Sequence, residues 1–540
     1  MTTSSPPAGK ASHLRRDAGI IGLLFASTTS IIGSGWLFGS FHAAKLAGPL
    51  SIWSWVVGAV VILLIALCFS ELGALFPRSG ALVHMSHASH GKGLGQIWGW
   101  ILFLSYAAVP AVEAEAVLTY TNNYLPYFIR HGSDGLLTPI GFITCAALLG
   151  VFALINLLTV KKLLTVNTII TWWKIGVPIL TIIVLMLWSL HAGGRGHGHV
   201  WHADPQGYSS TGIFIALPMA GIVFSYFGFR TAIDLGGESA NPGRNIPLAV
   251  IGSVLLSALI YILLQVTFLL ALNKGDLAQG WAHLSFADEA GPFAGLAVAL
   301  GVAWIAPLLY IDAIVSPGGT GLIYVTGGAR ILFAIGETKG GPALLTKLNA
   351  AKIPWVGVVI MWAVGVFFLL PFPAWQLMVQ YITSITVLTY GIGPVALMVL
   401  RRSQPHMERR FTLWGANIIA PIAFICSNLI IYWTGFKTNE FLFVLLGLCI
   451  VASAAYYRYI AKGSLSDFSW KHVGWLLPWF GGLWIISYLG SINGGIGVLS
   501  FWTGNVVIIL WSLFTLWLAL RSALPAAQTT RLMAELEDTL

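Results

Sequence analysis

Long apolar stretches, each separated from the next by a short polar loop, run through almost the whole chain. A transmembrane helix needs roughly 20 apolar residues. On that scale the sequence predicts about fourteen spans, near residues 18–46, 50–75, 95–125, 138–158, 163–189, 211–236, 247–272, 295–332, 354–371, 375–400, 413–435, 440–460, 474–490 and 499–521. Stretches of this length indicate helices rather than the shorter strands of a membrane barrel, so we predict an all-α polytopic membrane protein.

The scarcity of charge excludes several classes of protein. Charged residues make up 9% of the chain and hydrophobic residues 57%, whereas a soluble domain carries about 25% charged residues. A soluble enzyme, a disordered protein and a nucleic-acid-binding protein are therefore excluded. The first apolar run is too long for a signal-peptide core, so we expect it to remain as the first span.

The distribution of basic residues predicts the orientation. With the N-terminus inside, the inside loops hold most of the 28 Lys and Arg residues, and the outside loops hold Arg130, Arg195, Lys274 and Lys437. This bias predicts a multi-pass protein of the cell (inner) membrane with both termini in the cytoplasm. The net charge of +9 then reflects topology and not a nucleic-acid partner. Several tryptophans near span ends are predicted to form interfacial belts: Trp98, Trp100, Trp201, Trp355 and Trp375.

The sequence predicts neither a metal nor a cofactor. All four cysteines lie in apolar runs without metal-ligand spacing and are interpreted as packing residues: Cys68, Cys145, Cys426 and Cys449. One outside loop is rich in histidine, but its glycines and its lack of acidic residues favour a plain polar loop over a weak metal site: His191, His197, His199 and His202. Another group recurs every three residues, a spacing that places its members along one side of a helix: His84, His87 and His90. The sequence contains no nucleotide-binding P-loop, which argues against ATP-driven pumping.

Two spans carry sequences that weaken a helix at mid-membrane. Span 1 contains the stretch 29–36, Thr-Ser-Ile-Ile-Gly-Ser-Gly-Trp, and span 6 contains 225–229, Ser-Tyr-Phe-Gly-Phe. Non-helical backbone at that depth is tolerated where it lines a cavity. Breaks five helices apart are typical of an inverted repeat with a substrate site at the midplane. The alternative is that the glycines only allow close helix packing.

The two ends of a broken span 1 suit an α-amino acid. The second half-helix, starting near Gly35, would present amide N–H groups to a carboxylate. The carbonyls that end the first half, near Thr29 to Ile32, would accept hydrogen bonds from an ammonium group. We therefore predict that the substrate-binding set includes Thr29, Ile32, Gly33, Ser34, Gly35, Trp36, Phe224, Tyr226, Phe227, Gly228 and Arg230.

Four motifs resemble the amino acid–polyamine–organocation (APC) transporters. They are Gly-Ser-Gly at 33–35, the run from Glu71 through Pro-Arg-Ser-Gly at 77–80 to Gly91, Glu-Ser-Ala-Asn-Pro-Gly-Arg-Asn-Ile-Pro at 238–247, and Gly-Ala-Arg-Ile-Leu-Phe-Ala at 328–334. Trp36 and its neighbours resemble the branch of bacterial aspartate–proton symporters. The resemblance implies a LeuT-type fold of five helices plus five inverted helices, with helices 1 and 6 broken. The expected division is a cytoplasmic tail (1–17), a transporter core (18–400) with repeats 18–189 and 211–400, additional transmembrane helices (401–521) and a second cytoplasmic tail (522–540).

Ionisable residues at membrane depth are costly and are therefore functional candidates. The resemblance implies that Lys174 in span 5 occupies the space that sodium takes in sodium-coupled relatives, and thus that transport is linked to protons. The alternative is a structural lysine that ties span 5 to the carbonyls of broken span 1. Glu113, Glu115 and Asp312 are further candidates for carrying the proton. Glu113 and Glu115 are two residues apart and so point to different sides of their helix. Glu71, which ends span 2 near the cytoplasm, is interpreted as an interfacial residue.

Arg230 stands where several relatives carry an acidic residue, which disfavours a cationic substrate. It is expected either to meet a substrate carboxylate or to pair with Asp234, one turn later. Near it, Phe224, Tyr226 and Phe227 are candidate gates, and the resemblance favours Phe224 in that role.

The sequence as a whole predicts a secondary transporter, not an enzyme, that takes up an acidic or neutral amino acid with a proton. Its expected partners are the amino acid, the proton and the lipid bilayer, with no nucleic acid, and the oligomeric state is left open. An amino acid exchanger without net proton coupling is the first alternative. A channel or a membrane-embedded enzyme is the second, although the chain shows no clustered catalytic set.

Overall fold

The described part of the chain is helical throughout. The computed structural model describes residues 18–78, 80–130, 135–157, 160–191, 208–273, 275–284, 291–338, 340–371, 374–460 and 470–538. Within them, extended pairing is limited to two isolated bridges, Ala18 with Ser239 and Ile129 with Leu137. The prediction of an all-α protein is confirmed for this part of the chain.

The described residues up to His191 form seven α-helices. They are α1 (Ile20–Ile31), α2 (Gly35–Ala47), α3 (Ser51–Leu75), α4 (Ala81–His90), α5 (Lys92–Thr121), α6 (Pro139–Asn156) and α7 (Val160–His191). The histidines at three-residue spacing lie on α4, a short helix between two spans, as predicted. Of the other histidine group, His197, His199 and His202 lie outside the described residues.

The second half begins with short helices and continues with long ones. They are α8 (Gly212–Met219), α9 (Ile222–Ser225), α10 (Thr231–Asp234), α11 (Pro242–Ala271), α12 (Pro292–Ala299), α13 (Ala306–Glu337), α14 (Trp355–Phe368), α15 (Trp375–Ser403), α16 (Ala416–Trp433), α17 (Phe436–Ala455), α18 (Trp470–Val473), α19 (Leu476–Leu489), α20 (Phe501–Arg521) and α21 (Ala526–Asp538). Span 8 was predicted as one helix over 295–332, but a turn with Gly301 at φ 78° separates α12 from α13.

The number of apolar helices confirms a polytopic membrane protein. Ten helical segments in the described residues are long and apolar enough to cross a membrane, and α1 and α14 are shorter apolar helices. The most hydrophobic windows of α5 and α15 are 94% and 100% buried, against 22% for the segment that begins with α17. A helix that is apolar on all sides and buried on all sides belongs to the interior. Helices α5 and α15 therefore form the centre of the bundle, with α13 packed on α5, α3 packed on α15, and α11 packed on the far side of α3.

Glu71 is deeply buried, which corrects its interpretation as an interfacial residue. It lies near the end of α3, with 1% of its surface exposed. Arg401 donates to its two carboxylate oxygens at 3.0 and 2.5 Å, and Arg409 approaches at 3.2 Å. The backbone amide of Leu413 donates a further hydrogen bond at 2.7 Å. This ion pair network joins the end of α3 to the end of α15 and to the loop that follows it.

The predicted tryptophan belt is wrong for two of its members. Trp98 and Trp375 lie in the core, with 1% and 4% of their surfaces exposed, whereas Trp355 is exposed. Trp201 lies outside the described residues. Trp98 stacks on Trp479 of α19. A span end that another helix covers is buried, so position along the chain alone does not identify an interfacial residue.

Candidate functional site

The first apolar segment breaks where Gly33 and Gly35 predicted. Helix α1 ends at Ile31 and α2 begins at Gly35, and the residues between them are buried. Gly35 and Trp36 open the first turn of α2, where backbone amides have no intrahelical partner. The break thus exposes donors at one end and carbonyl acceptors at the other, deep inside the bundle.

The second break lies directly against the first. Gly228 has φ 115°, and a Cβ atom added there would lie 2.5 Å from the carbonyl carbon of Ser30 and 2.7 Å from the nitrogen of Ile31. Ser27 Oγ donates to the carbonyl of Phe229 at 3.3 Å. Thr231 Oγ1 donates to Ser30 Oγ at 2.8 Å. Gly228 is therefore required both for its backbone conformation and for the close approach of α1.

Lys174 reaches the end of α1 from α7. Its Nζ donates to the carbonyl of Thr29 at 2.7 Å and to the hydroxyl of Thr320 at 2.8 Å. The Thr320 hydroxyl also lies 3.2 Å from the Thr29 carbonyl and 3.3 Å from that of Ile32. A second link between the helices is the hydrogen bond between the hydroxyls of Thr29 and Thr171. The ammonium group of Lys174 therefore donates to the Thr29 carbonyl, one of the acceptors predicted to bind a substrate ammonium.

Glu113 occupies the amide side of the same break. The backbone N–H of Ser34 donates to its Oε2 at 2.8 Å, and the side chain is 1% exposed. A Cβ on Gly33 would collide with the Glu113 carboxylate, so the glycine permits this approach. Sequence reasoning selected Glu113 as ionisable but did not predict this contact. A carboxylate of the chain lies where a substrate carboxylate was expected.

The other two acidic candidates lie apart from the Ser34 amide. Glu115 is fully buried, and neither of its carboxylate oxygens has a hydrogen-bond partner within the described residues. It interacts electrostatically with Cys145 of α6, whereas Glu113 contacts Ser34, so the two carboxylates have different surroundings, as their spacing predicted. Asp312 on α13 accepts a hydrogen bond from Ser316 at 2.7 Å and is electrostatically coupled to Lys174. Asp312 therefore belongs to the surroundings of Lys174.

Arg230 is buried without an ion pair among the described residues. It donates to Thr389 Oγ1 at 2.8 Å, and its guanidinium lies over the rings of Tyr390 and Tyr106, 4.5 and 5.4 Å from their centroids. Asp234 instead accepts a hydrogen bond from the Tyr106 hydroxyl at 2.6 Å. The ion pair between Arg230 and Asp234, one of two expectations, does not form here.

The candidate gating aromatics occupy different places. Tyr226 packs against Trp55 and Tyr261, and its hydroxyl donates to the backbone of Trp55 at 3.2 Å. Phe224 and Phe227 contact each other, with ring centroids 6.0 Å apart. Tyr226 is thus a packing residue between α3 and α11 in this conformation, whereas Phe224 contacts Trp375 and Phe227 contacts Tyr390.

Trp375 is a site residue that sequence reasoning missed. The indole Nε1 at the start of α15 donates to Ser34 Oγ at 3.0 Å. The Trp375 ring packs on those of Phe38, His42 and Phe224, with ring centroids 4.7, 5.6 and 6.2 Å apart. These contacts cover the break on the side of α2. Nothing local distinguishes Trp375 among the 23 tryptophans of the chain.

A cavity lies on the opposite side of the break. It has a volume of about 130 Å³ and is lined in part by Tyr106, Thr231, Asp234, Arg330 and Lys352. The break is therefore covered on the side of Trp375 and adjoins open space on the side of Arg330 and Lys352.

Comparison with known proteins identifies the family. Residues 19–455 match the model of the amino acid permease family. The chain belongs to this family. It is a multi-pass membrane transporter of amino acids, and the resemblance to the APC transporters is confirmed.

Two bacterial relatives match almost from end to end. The glutamate/serine transporter AimA of Bacillus subtilis (strain 168) is 37% identical over 520 residues, covering 94% of each chain. The aspartate-proton symporter of the same organism is 32% identical over 523 residues, covering 96% of this chain and 98% of the relative. A more distant relative, the serine/threonine exchanger SteT, is 26% identical over 65% of this chain and 76% of its own.

Proposed function

We propose that this permease takes up an acidic or neutral amino acid together with a proton across the cell membrane. The observation that carries the proposal is the pair of ionisable groups on the two faces of one helix break. Lys174 holds the carbonyl of Thr29, and Glu113 holds the amide of Ser34. The names of the two relatives that match nearly end to end, a glutamate/serine transporter and an aspartate-proton symporter, support the same reading.

The architecture of the proposal is the LeuT type. The two repeats of five helices, 18–189 and 211–400, are inverted relative to each other. About fourteen spans cross the membrane in all, and residues 401–521 supply the transmembrane helices beyond the two repeats. Both terminal tails, 1–17 and 522–540, are cytoplasmic. Supporting it are the two mutually contacting breaks, in the first apolar segment and in the one that follows α7. With that orientation, Arg330 and Lys352 lie on the cytoplasmic side, and the conformation is closed outward and open inward.

Binding of a substrate carboxylate would compete with Glu113. The amides at the start of α2 are the anion-binding group of the break, and the Ser34 amide is held by Glu113 at 2.8 Å. A substrate carboxylate at Ser34, Gly35 and Trp36 displaces the Glu113 carboxylate into a buried space. A buried charge without its donor is costly, so the displaced group takes up a proton. Substrate and proton then bind together, which is the requirement for symport.

The substrate ammonium completes the exchange at the other end of the break. It competes with Lys174 for the carbonyls of Thr29 and Ile32. Release of Lys174 leaves that ammonium buried near Asp312, with which it is electrostatically coupled. Loss of the hydrogen bonds from Lys174 to Thr29 and Thr320 changes the contacts between α1, α7 and α13 and so biases the conformational equilibrium.

Arg230 supports an acidic substrate. A buried guanidinium that faces aromatic rings and a hydroxyl, with no described carboxylate within 4.0 Å, is available for a carboxylate of the substrate. Arginine binds carboxylates through two parallel N–H donors. A cationic side chain at the same place would be repelled.

Uptake into proteoliposomes tests the proposal. Labelled glutamate, aspartate, serine and lysine are offered to empty and to amino-acid-loaded vesicles, with and without an inward proton gradient. Symport predicts gradient-driven accumulation in empty vesicles that a protonophore abolishes. Uptake that ignores the gradient and requires internal amino acid would instead assign an exchanger, the activity named for SteT.

Two variants locate the coupling. Glu113→Gln keeps an oxygen acceptor for the Ser34 amide but cannot titrate, and Lys174→Met keeps the side-chain length without the ammonium. Each should lose gradient-driven accumulation, and Glu113→Gln should retain exchange. Lys347→Met, an exposed lysine, is the matched control and should behave as wild type. Unchanged pH dependence in either variant would remove that residue from the coupling mechanism.

A further inference from the structure

A basic cavity lies beneath the loop between α15 and α16, far from the helix break in sequence. It has a volume of about 700 Å³ and is lined by Met398, Arg401, Arg402, Pro405, Met407, Arg409, Thr412 and Asn417. Three of these eight residues are arginines. The cavity is neither part of the transport site nor explained by the substrate proposed above.

The positive charge of this cavity exceeds the negative charge that faces it. Glu71 pairs with both Arg401 and Arg409 and can neutralise only one of them. Arg402 is exposed and makes neither a hydrogen bond nor an ion pair within the described residues. About two positive charges therefore remain for an anion. The cavity is thus complementary to a phosphate or phosphodiester group.

Exposed apolar side chains neighbour two residues of the cavity lining, Thr412 and Asn417, along the chain. Trp414, which precedes α16, is 91% exposed. Ile418 and Ile422 follow at a spacing of four residues on one face of α16, 68% and 42% exposed. Tryptophan at the level of lipid headgroups is typical of membrane proteins. This apolar stripe, which begins next to the cavity residue Asn417, can contact an acyl chain. A free phosphate ion would gain nothing from such a surface.

We propose that this cavity binds the headgroup of an anionic phospholipid, with its acyl chain along Ile418 and Ile422. A basic pocket between transmembrane helices, at the interface, is a recognised form of lipid site. The assignment to the cytoplasmic leaflet rests on the orientation proposed above, whereas the binding itself does not. The bound lipid would link the end of α15, which carries Arg401, to the start of α16 and so stabilise their contact.

The test compares lipids added to the purified full chain in a neutral detergent. An anionic phospholipid, a zwitterionic phospholipid with the same acyl chains, and inorganic phosphate are titrated while the apparent melting temperature is recorded. Because ligands that bind the folded state raise apparent stability, the anionic lipid should raise the melting temperature most. Equal effects of the two lipids would overturn the proposal. An equal effect of inorganic phosphate would assign a soluble anion instead of a lipid.

Arg402 allows a variant that leaves the Glu71 network intact. Arg402→Gln should bind the anionic lipid about fivefold more weakly, the effect expected for one basic residue near an anionic headgroup. Arg521→Gln, at the end of α20, is the control and should retain wild-type affinity. Native mass spectrometry of the same samples counts bound lipids independently of stability. Undiminished lipid binding by Arg402→Gln in both measurements would refute the site, whatever the outcome of the transport assays.

Discussion

Replacing Gly228 by alanine should be among the most damaging single-methyl changes in this protein. An L-residue at φ 115° adopts a backbone conformation that costs about 1–3 kcal/mol. The added Cβ would also lie 2.5 and 2.7 Å from backbone atoms of Ser30 and Ile31, which cannot rotate away as a side-chain tip can. Overpacking of this kind costs about 1–3 kcal/mol. The total, about 2–6 kcal/mol, is a large part of a typical folding free energy of about 5–15 kcal/mol.

The assay measures the apparent melting temperature of the purified variant and its uptake in proteoliposomes at a temperature where it stays folded. We expect a lowered melting temperature and loss of uptake, because the collision forces apart the two helix breaks that form the site. Gly22→Ala on α1 is the matched control, since a Cβ there has nothing within 4 Å. That change should be neutral or stabilising by up to about 1 kcal/mol. Wild-type stability and uptake in Gly228→Ala would refute the close approach of α1 to this glycine.

Three further changes probe the contacts that hold the bundle together. Glu71→Gln removes the buried carboxylate that faces Arg401, and we expect a destabilisation of about 1–3 kcal/mol from the lost charged hydrogen bonds. An unchanged melting temperature would contradict the network. Trp375→Phe keeps the ring packing but loses the hydrogen bond to Ser34, worth about 1 kcal/mol. Faster hydrogen–deuterium exchange in α2 should report the loosened cover. Burial lowers the pKa of His90, on the loop helix α4, from 6.5 to about 4. The unfolded chain therefore binds a proton that the folded one does not, and stability should fall as the pH drops from 6.5 towards 4. His90→Asn should reduce this loss of stability at low pH. A dependence of stability on pH identical to that of the wild type would contradict the role given to His90.

The breaks were predictable because their causes are local. Gly33 and Gly35 weaken a helix wherever they stand together, and a charge such as Lys174 inside an apolar run is conspicuous in any sequence. The alternative interpretation of Lys174, a structural lysine that ties span 5 to the carbonyls of broken span 1, matches its hydrogen bond to Thr29. These inferences needed only the residues themselves and their neighbours along the chain.

Other features of the site depend on partners distant in sequence. Glu113 and the Ser34 amide are separated by 79 residues, and Trp375 and Ser34 by 341. Glu71 was interpreted as interfacial because its partner Arg401 lies 330 residues away. No local pattern reports such a contact, since each side chain is compatible with several surroundings.

The chain's own residues thus establish an all-helical membrane permease with a broken first helix and a few buried charges. That much follows from hydrophobicity, glycine and the cost of charge in lipid, which act at each position separately. Which group covers which end of the break is decided by packing, because a buried donor or acceptor must be satisfied by whatever the fold brings within about 3 Å. Here the fold brings Glu113 to the Ser34 amide and Lys174 to the Thr29 carbonyl, so the protein's own carboxylate and ammonium hold the two ends of the break.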